Sequence, residues 1–327
     1  MKKLFSLLVG VILLSAVLMA SEKAVTIQVG YENNPGEPID LACQHWKKII
    51  EEKSNGSIKM ELFPSSQLGS KNDVIDQMLA GDNLITLADG AFYADRGVPD
   101  MGITFGPYFF ETWEEAWKLI KSDWWKEQTD KLEKSGLKML AANWAYGDRH
   151  TLSKKPIRTV DDFKGQKIRV PNNLIQVKGM EVLGANPTPM PLGDVYTALQ
   201  QGTIDGLENP LPVLYNGKFH EVAKYLTLDG HVKNFTTFIC GTTFFNTLTP
   251  EHQKLLIETA EEAGVYNNGL VENLNKEVIE KFKAEGVEVI EIDIANFKET
   301  AKPFYQMKEF TSKWSEGAYE KAENAKK

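Results

Sequence analysis

Three polar side chains stand at the ends of strand-like segments, beside proline or glycine. Arg149 follows the apolar run 137–144, Arg169 lies within KIRVP, and Asn209 precedes a proline in IDGLENP. In α/β sheets, ligands bind outside the carboxyl ends of strands. An arginine fork matches a carboxylate with two parallel hydrogen bonds, which lysine cannot reproduce. The pattern predicts an anion site, and surface ion pairs are the alternative for each arginine taken alone.

Signatures of catalysis are missing from the sequence. It contains no GxSxG, no GxxxxGK[ST], no GxGxxG after a strand and no HExxH. His150, beside Arg149, is the one candidate for a base near the predicted site, and a structural role is the preferred interpretation. We therefore expect a binding protein without a cofactor or a metal.

Composition and charge narrow the class of protein further. The 327 residues are 42% hydrophobic, which suits a globular chain of about two domains. The formal net charge of −8 argues against a nucleic-acid partner. Cys43 and Cys240 lie far apart and form no metal-binding spacing, so buried free thiols are expected. A disulfide stays open as an alternative, because export would permit one.

The first 20 residues have the pattern of a secretory signal peptide. Lys2 and Lys3 precede an apolar run at 4–19, and Ala20 is a small residue at a plausible cleavage point. The alternative is a membrane anchor, but the run is shorter than the roughly 20 residues that span a bilayer. We expect cleavage and a periplasmic mature protein.

Strand and helix patterns alternate along the chain, which predicts an α/β fold. A cap at Thr249 and a first-turn proline begin an apolar periodicity that runs to Gly286. This predicts one helix of about 36 residues that crosses both domains, with Gly264 and Gly269 as sites for a kink. The tryptophan-rich segment 111–134 is predicted to be core. The predicted strands are 25–31, 58–63, 84–89, 137–144, 166–170, 204–209, 235–245 and 287–293, and the other helices are 38–53, 73–80, 174–183 and 192–202.

Two long segments and one short motif resemble a known family. RHTLSKKPIRTVDDFKGQKIRVPNN and EVLGANPTPMPLGDVYTALQQGTIDGLENPL, with FPSSQLG at 63–69, resemble the DctP family. These proteins are the extracytoplasmic solute-binding subunits of tripartite ATP-independent periplasmic (TRAP) transporters. The resemblance implies an α/β, two-domain periplasmic-binding-protein fold, with crossing strands and a long helix spanning both domains. The expected domains are 23–146 plus about 235–274, and 147–234 plus about 275–327.

The resemblance also implies roles for four residues. Arg169 would form a two-pronged ion pair with the ligand carboxylate, and Arg149 would make a second contact. Asn209 would hold Arg169 or the carboxylate, and Asn172 would line the pocket. His150 is a further candidate for ligand contact.

The first domain resembles the sialic-acid-binding branch but differs in the pocket. Glu32 stands where that branch has asparagine, Lys71 where it has an acid, Asp89 where it has glutamate, and Leu192 where it has an aromatic residue. Lys71 favours a phosphate or a second carboxylate, as in glycerol 3-phosphate or a C4-dicarboxylate. Glu32 and Asp89 favour the hydroxyls of a uronate or aldonate. Both interpretations, a phosphate or dicarboxylate and a sugar acid, stay open, and sialic acid is disfavoured.

The expected function is capture of a small organic anion by hinge closure. The closed protein would deliver the ligand to the small and large membrane subunits of a TRAP transporter, and the resemblance implies a monomer. Two alternatives remain, a sensory ligand-binding module and a secreted lyase or hydrolase acting on anionic sugars.

Overall fold

The computed structural model describes residues 24–327. The predicted signal peptide at 1–20 lies outside these residues. Between residues 24 and 327, every helix is too short or too polar to cross a lipid bilayer.

The strands of the described chain form one mixed sheet, in the order β2-β1-β3-β8-β4-β7-β5-β6, with β9 on β8. Their bounds are β1 Val25–Gly30, β2 Ile58–Phe63, β3 Leu84–Ala88, β4 Leu137–Ser153, β5 Lys167–Val170, β6 Asn186–Pro189, β7 Gly206–Pro210, β8 Tyr225–Gly241 and β9 Glu288–Ile290. Strands β2, β1 and β3 run parallel, as do β7, β5 and β6. We call these parallel groups, with their helices, the first half and the second half.

Two long antiparallel strands join the halves. Strands β4 and β8 have 17 residues each and pair along their length. One end of β8 pairs with β3 in the first half, and β4 pairs with β7 in the second half. At about 3.3 Å per residue, each strand is long enough to cross both halves. The expected crossing strands are therefore present.

Sequence patterns underestimated both crossing strands. Strand β4 was predicted only over 137–144, and the segment 225–234 of β8 was missed. These parts are mostly polar and each contains one glycine, Gly147 or Gly230, so the apolar alternation that indicates a strand is interrupted in them. The predicted strands do not include 186–189, yet this segment forms β6 at the sheet edge, where proline is tolerated because no ladder N–H is needed.

The helices follow the predicted order, with shifts at their ends. The α-helices are α1 Pro38–Lys53, α2 Lys71–Ala80, α3 Gly90–Ala94, α4 Trp113–Leu119, α5 Asp123–Lys134, α6 Leu174–Val182, α7 Val195–Gln200, α8 Leu211–Asn216, α9 Thr242–Phe245, α10 Pro250–Ala284, α11 Ile294–Ala301, α12 Lys308–Thr311 and α13 Ala318–Ala325. Short 3₁₀ turns lie at Pro99–Phe105, Val160–Phe163, Leu192–Asp194, Phe219–Glu221 and Lys302–Gln306.

Helix α10 is continuous over 35 residues and packs on both halves. Leu256 and Ala260 belong to the core of the first half, and Val278 and Phe282 to that of the second. The Oγ1 of Thr259 accepts a hydrogen bond of 2.9 Å from the indole of Trp46. The predicted spanning helix is confirmed.

Two asparagines fasten the middle of α10 to β4. Asn268 accepts a hydrogen bond from the Ala145 N–H (2.7 Å) and donates one to the Asn143 carbonyl (2.8 Å). Asn267 donates to the Ala145 carbonyl at 2.7 Å. Here the register of β4 against β8 shifts, so these side chains satisfy backbone groups at an irregular part of the strand.

The core contains the predicted tryptophans and both cysteines. The tryptophans of 111–134 pack in or against one core cluster, as predicted, and Cys43 and Cys240 are buried free thiols. Helix α13 packs on α5, in the same cluster as Trp124 and Trp125. This contact with the first half differs from the assignment of 275–327 to the second domain, because Ala318 and Ala322 bury their small side chains there.

Gly264 and Gly269 of α10 should respond oppositely to alanine. A Cβ at Gly264 would lie 2.6 Å from Asn143 Oδ1 and 2.8 Å from Trp144 Cδ1, whereas one at Gly269 meets no atom of the described residues within 4 Å. Gly264→Ala should lower the free energy of unfolding by about 1–3 kcal/mol, because the helix must move off β4. Gly269→Ala should raise it by up to about 1 kcal/mol, the usual gain inside a helix. Urea unfolding measures both, and a stabilised Gly264→Ala would show that the close approach is unimportant.

Candidate ligand-binding site

A narrow cavity lies between the two halves and contains most of the predicted site residues. We call it the ligand cavity. Its lining includes every predicted site residue except Asn172 and His150. The full lining is Glu32, Lys71, Leu87, Asp89, Phe92, Tyr146, Arg149, Arg169, Pro171, Gln176, Leu192, Asn209, Asn234 and Thr236.

Arg169 projects from β5 and is 2% exposed. Its Nε and Nη2 donate to the Met190 carbonyl at 3.0 and 2.8 Å. Its Nη1 is buried and has no hydrogen-bond partner among residues 24–327. Burial lowers the pKa of Arg169 to about 10, so the guanidinium is still charged at neutral pH. A buried cation with a free donor is costly unless an anion joins it.

Arg149, on β4, is already bound by protein groups. It forms a buried ion pair with Glu208 through Nε and Nη2, and its Nη1 donates to Asn234 Oδ1 at 3.0 Å. Burial opposes the charge on Arg149, but the Glu208 carboxylate outweighs it and raises the pKa. All three nitrogens of Arg149 thus have partners, and its predicted contact with a ligand stays a prediction.

The Arg149–Glu208 pair continues into a buried histidine. His231 contacts Glu208 Oε2 through Nε2 and Asp229 Oδ2 through Nδ1, both at 3.2 Å. Burial disfavours the imidazolium, yet the two carboxylates outweigh it and raise the pKa of His231 to about 9. His150 lies outside the cavity lining, and its Nδ1 accepts a 3.0 Å hydrogen bond from the Gly230 N–H.

The first half contributes a second ion pair and a buried carboxyl. Lys71 Nζ lies 3.3 Å from Glu32 Oε2 and 4.7 Å from the centre of the Phe92 ring. Asp89 caps α3 and accepts a hydrogen bond from the Ala91 N–H at 3.0 Å. Burial raises the pKa of Asp89 above its usual range, in spite of the nearby basic residues.

Asn209 and Asn172 occupy different positions. Asn209, on β7, has a buried Oδ1 with no partner among the described residues, and it faces the ligand cavity. Asn172 is exposed and lines a small pocket next to the cavity, which also involves Lys71 and Arg169. Its carbonyl accepts a hydrogen bond of 3.2 Å from Asn72, so this segment links the two halves.

Sequence reasoning missed several residues of the lining. Tyr146 lies on β4 and accepts a hydrogen bond of 3.1 Å from Asn33. Asn234 and Thr236 lie on β8, Gln176 on the first turn of α6, and Phe92 on α3. A polar residue inside an apolar strand, as in KNFTTFIC, was the available signal for Asn234. The other residues carry no local signal, because strand crossing brings them to the cavity.

The raised pKa of His231 predicts a pH-dependent stability. Its folded pKa of about 9 exceeds the unfolded value of about 6.5. The folded state therefore binds more protons between these values, and this stabilisation is present below about pH 6.5 and lost as pH rises toward 9. The unfolding free energy should fall over this range more steeply than in His231→Gln, measured by urea denaturation at several pH values. His45→Gln, at the surface, is the control, and equal slopes for all three proteins would contradict the charged imidazole.

Comparison with known proteins agrees with this arrangement. Residues 29–313 match the family model DctP, "Bacterial extracellular solute-binding protein, family 7". The chain is 34% identical over 278 residues to the 2,3-diketo-L-gulonate-binding periplasmic protein YiaO of Escherichia coli, covering 85% of this chain and 84% of the relative. It is 31% identical over 315 residues to the sialic acid-binding periplasmic protein SiaP of Vibrio cholerae, covering 95% and 96%.

Two solved structures are more similar in sequence. A TRAP periplasmic solute-binding protein from Ochrobacterium anthropi with bound L-fuconate superposes with a TM-score of 0.90 and 45% identity, covering 93% of this chain and 100% of that one. One from Actinobacillus succinogenes with bound L-galactonate has a TM-score of 0.89 and 42% identity, covering 92% and 99%. The chain therefore belongs to family 7 of the bacterial extracellular solute-binding proteins, the DctP family, and is the solute-binding protein of a TRAP transporter.

Proposed function

We propose that this protein captures a six-carbon sugar acid with a single carboxylate, of the aldonate type, and presents it to the membrane subunits of its transporter. The observation that carries the proposal is Arg169 Nη1, a buried donor without a partner among residues 24–327, on a guanidinium that lines the cavity between the halves. A carboxylate would supply both the missing acceptor and the missing negative charge.

The balance of charge around the cavity favours one anionic group. Arg149 is paired with Glu208, and Lys71 is paired with Glu32. Arg169 bonds only the Met190 carbonyl within the described chain. The pairing of Lys71 argues against the interpretation in which it holds a phosphate or a second carboxylate, since Glu32 already neutralises it.

The remaining lining suits a polyol. Tyr146, Asn209, Thr236 and the buried carboxyl of Asp89 offer hydroxyl, amide and carboxyl groups to ligand hydroxyls. L-Fuconate and L-galactonate, bound by the two similar structures, are open-chain acids with one carboxylate and several hydroxyls. They support an aldonate for this chain more than sialic acid, glycerol 3-phosphate or a C4-dicarboxylate.

Ligand capture would close the two halves on each other. The halves meet at β4 and β8, so bending of these strands would open the cavity, as in hinged binding proteins. We propose that residues 1–20 direct export, that the mature protein acts as a periplasmic monomer, and that Arg149, paired with Glu208, positions Asn234 beside the ligand. The similarity to solute-binding proteins gives no support to the sensory-module or secreted-enzyme alternatives.

Removing the charge of Arg169 should abolish tight binding. Arg169→Gln should weaken L-galactonate binding by at least about 100-fold, or about 3 kcal/mol, because the carboxylate loses its buried counter-charge. The protein is first unfolded and refolded to remove any ligand carried over from the host, and isothermal titration calorimetry then measures the affinity. The matched control is Arg158→Gln, at an exposed surface pair with Glu288. Affinity within about threefold of wild type in Arg169→Gln would refute the proposed site.

The charge balance also predicts discrimination against dianions. L-Galactonate should bind at least about tenfold more tightly than galactarate, which has a carboxylate at each end. Glu32→Gln should shift this ratio toward galactarate, because Lys71 loses its partner and can face the second carboxylate. Glu61→Gln, at an exposed position of β2, should leave the ratio unchanged. Tighter binding of galactarate by the wild type would restore the dicarboxylate interpretation.

A further inference from the structure

A second chamber adjoins the ligand cavity, with a volume of about 290 Å³. It shares Glu32 and Leu192 with the ligand cavity, so the two spaces meet at these side chains. Like the ligand cavity, it lies between the halves. Its volume lies just below the range of about 300–1,000 Å³ that is usual for small-molecule sites.

The wall from the first half is polar and held in place. Asn34, Ser65 and Ser66 form it. The Ser65 hydroxyl donates to Asn34 Oδ1 at 3.0 Å, and the backbone N–H groups of Ser65 and Ser66 donate to the carbonyls of Asn33 and Tyr31 at 2.9 and 3.0 Å. Hydroxyl and amide groups on a fixed loop are suited to hydrogen bonding with sugar hydroxyls.

The wall from the second half is mostly apolar. Val213 and Phe219 are buried there, and the Tyr196 ring is held by a 2.6 Å hydrogen bond from its hydroxyl to Glu221. The described lining contains no lysine or arginine, and its one carboxylate, Glu32, is paired with Lys71. An occupant of this chamber is therefore uncharged, with a polar rim toward one wall and an apolar face toward the other, which describes a pyranose ring.

We propose that the second chamber binds a sugar residue joined glycosidically to the acid held by Arg169, so that the protein accepts glycosylated aldonates as well as simple ones. The inference rests on the proposed function, because the carboxylate end stays in the ligand cavity. The glycosidic link passes Glu32 and Leu192, and the linked sugar lies between Ser65 and Ser66 on one side and Phe219 on the other. This occupant follows from continuity with the ligand cavity, from the volume and from the two contrasting walls.

Gly193 provides the test, since it lines the second chamber but not the ligand cavity. A Cβ at this position meets no atom of residues 24–327 within 4 Å, so Gly193→Phe can fill the chamber. The probes are D-gluconate and three of its glycosides, maltobionate and lactobionate with 4-O links and melibionate with a 6-O link. Gly269→Phe, on the open face of α10, is the control. The melting temperatures of Gly193→Phe and of the smaller variant Gly193→Leu show whether these substitutions preserve the fold.

At least one glycoside should bind the wild type within about tenfold of gluconate, and Gly193→Phe should weaken that glycoside by at least about 20-fold while changing gluconate by less than about threefold. If gluconate binds the wild type and all three glycosides bind more than about tenfold more weakly than gluconate, the proposal is overturned. Equal losses for gluconate and glycoside in Gly193→Phe also overturn it. If neither gluconate, L-galactonate nor any glycoside binds, the proposed function itself fails, and the second chamber fails with it.

Discussion

The pairing of β4 with β8 is the constraint on which the binding site depends. Both strands pass from the first half to the second, so a single hydrogen-bonded ladder sets the positions of groups that belong to separate α/β units. Tyr146 and Arg149 enter the ligand cavity from β4, and Asn234 and Thr236 from β8. A site supported by strands is held more accurately than one built on loops. The ladder therefore forms a floor, above which the two parallel groups provide walls.

The basic residues of the site differ in whether a carboxylate of the protein neutralises them. Arg149 and Lys71 have carboxylate partners, whereas one buried donor of Arg169 has no partner within the described part of the chain. The chain carries a formal charge of −8, so an anion approaches against the field of the whole protein and is held by local charge. A buried guanidinium without a counter-ion is unfavourable in the empty protein, and this makes the difference in free energy on binding a carboxylate larger.

Helix α10 limits the ways in which the halves can move. Its two ends pack in different cores, and Asn267 and Asn268 hold its centre against the irregular part of β4. Rotation about the crossing strands must therefore bend or shift this helix as well. Gly264 brings the helix close to Trp144, so the contact nearest the crossing leaves no room for a side chain. The same elements that fix the site geometry thus also restrict closure.

Local sequence determined much of the fold and part of the site. The sequence was enough to predict the alternating strands and helices, the start of α10 at its cap and proline, and the core tryptophans. Each of these features depends on neighbours within a few residues. Arg169 was identifiable as a candidate anion ligand from its residue type and its place near a strand end. Only the tertiary structure decided the extent of β4 and β8, the partners of Arg149 and Lys71, and the second chamber. Glu208 lies 59 residues from Arg149 along the chain, and strand pairing brings the two together. Local sequence patterns therefore do not show that the charge of Arg149 is neutralised by a carboxylate whereas that of Arg169 is not.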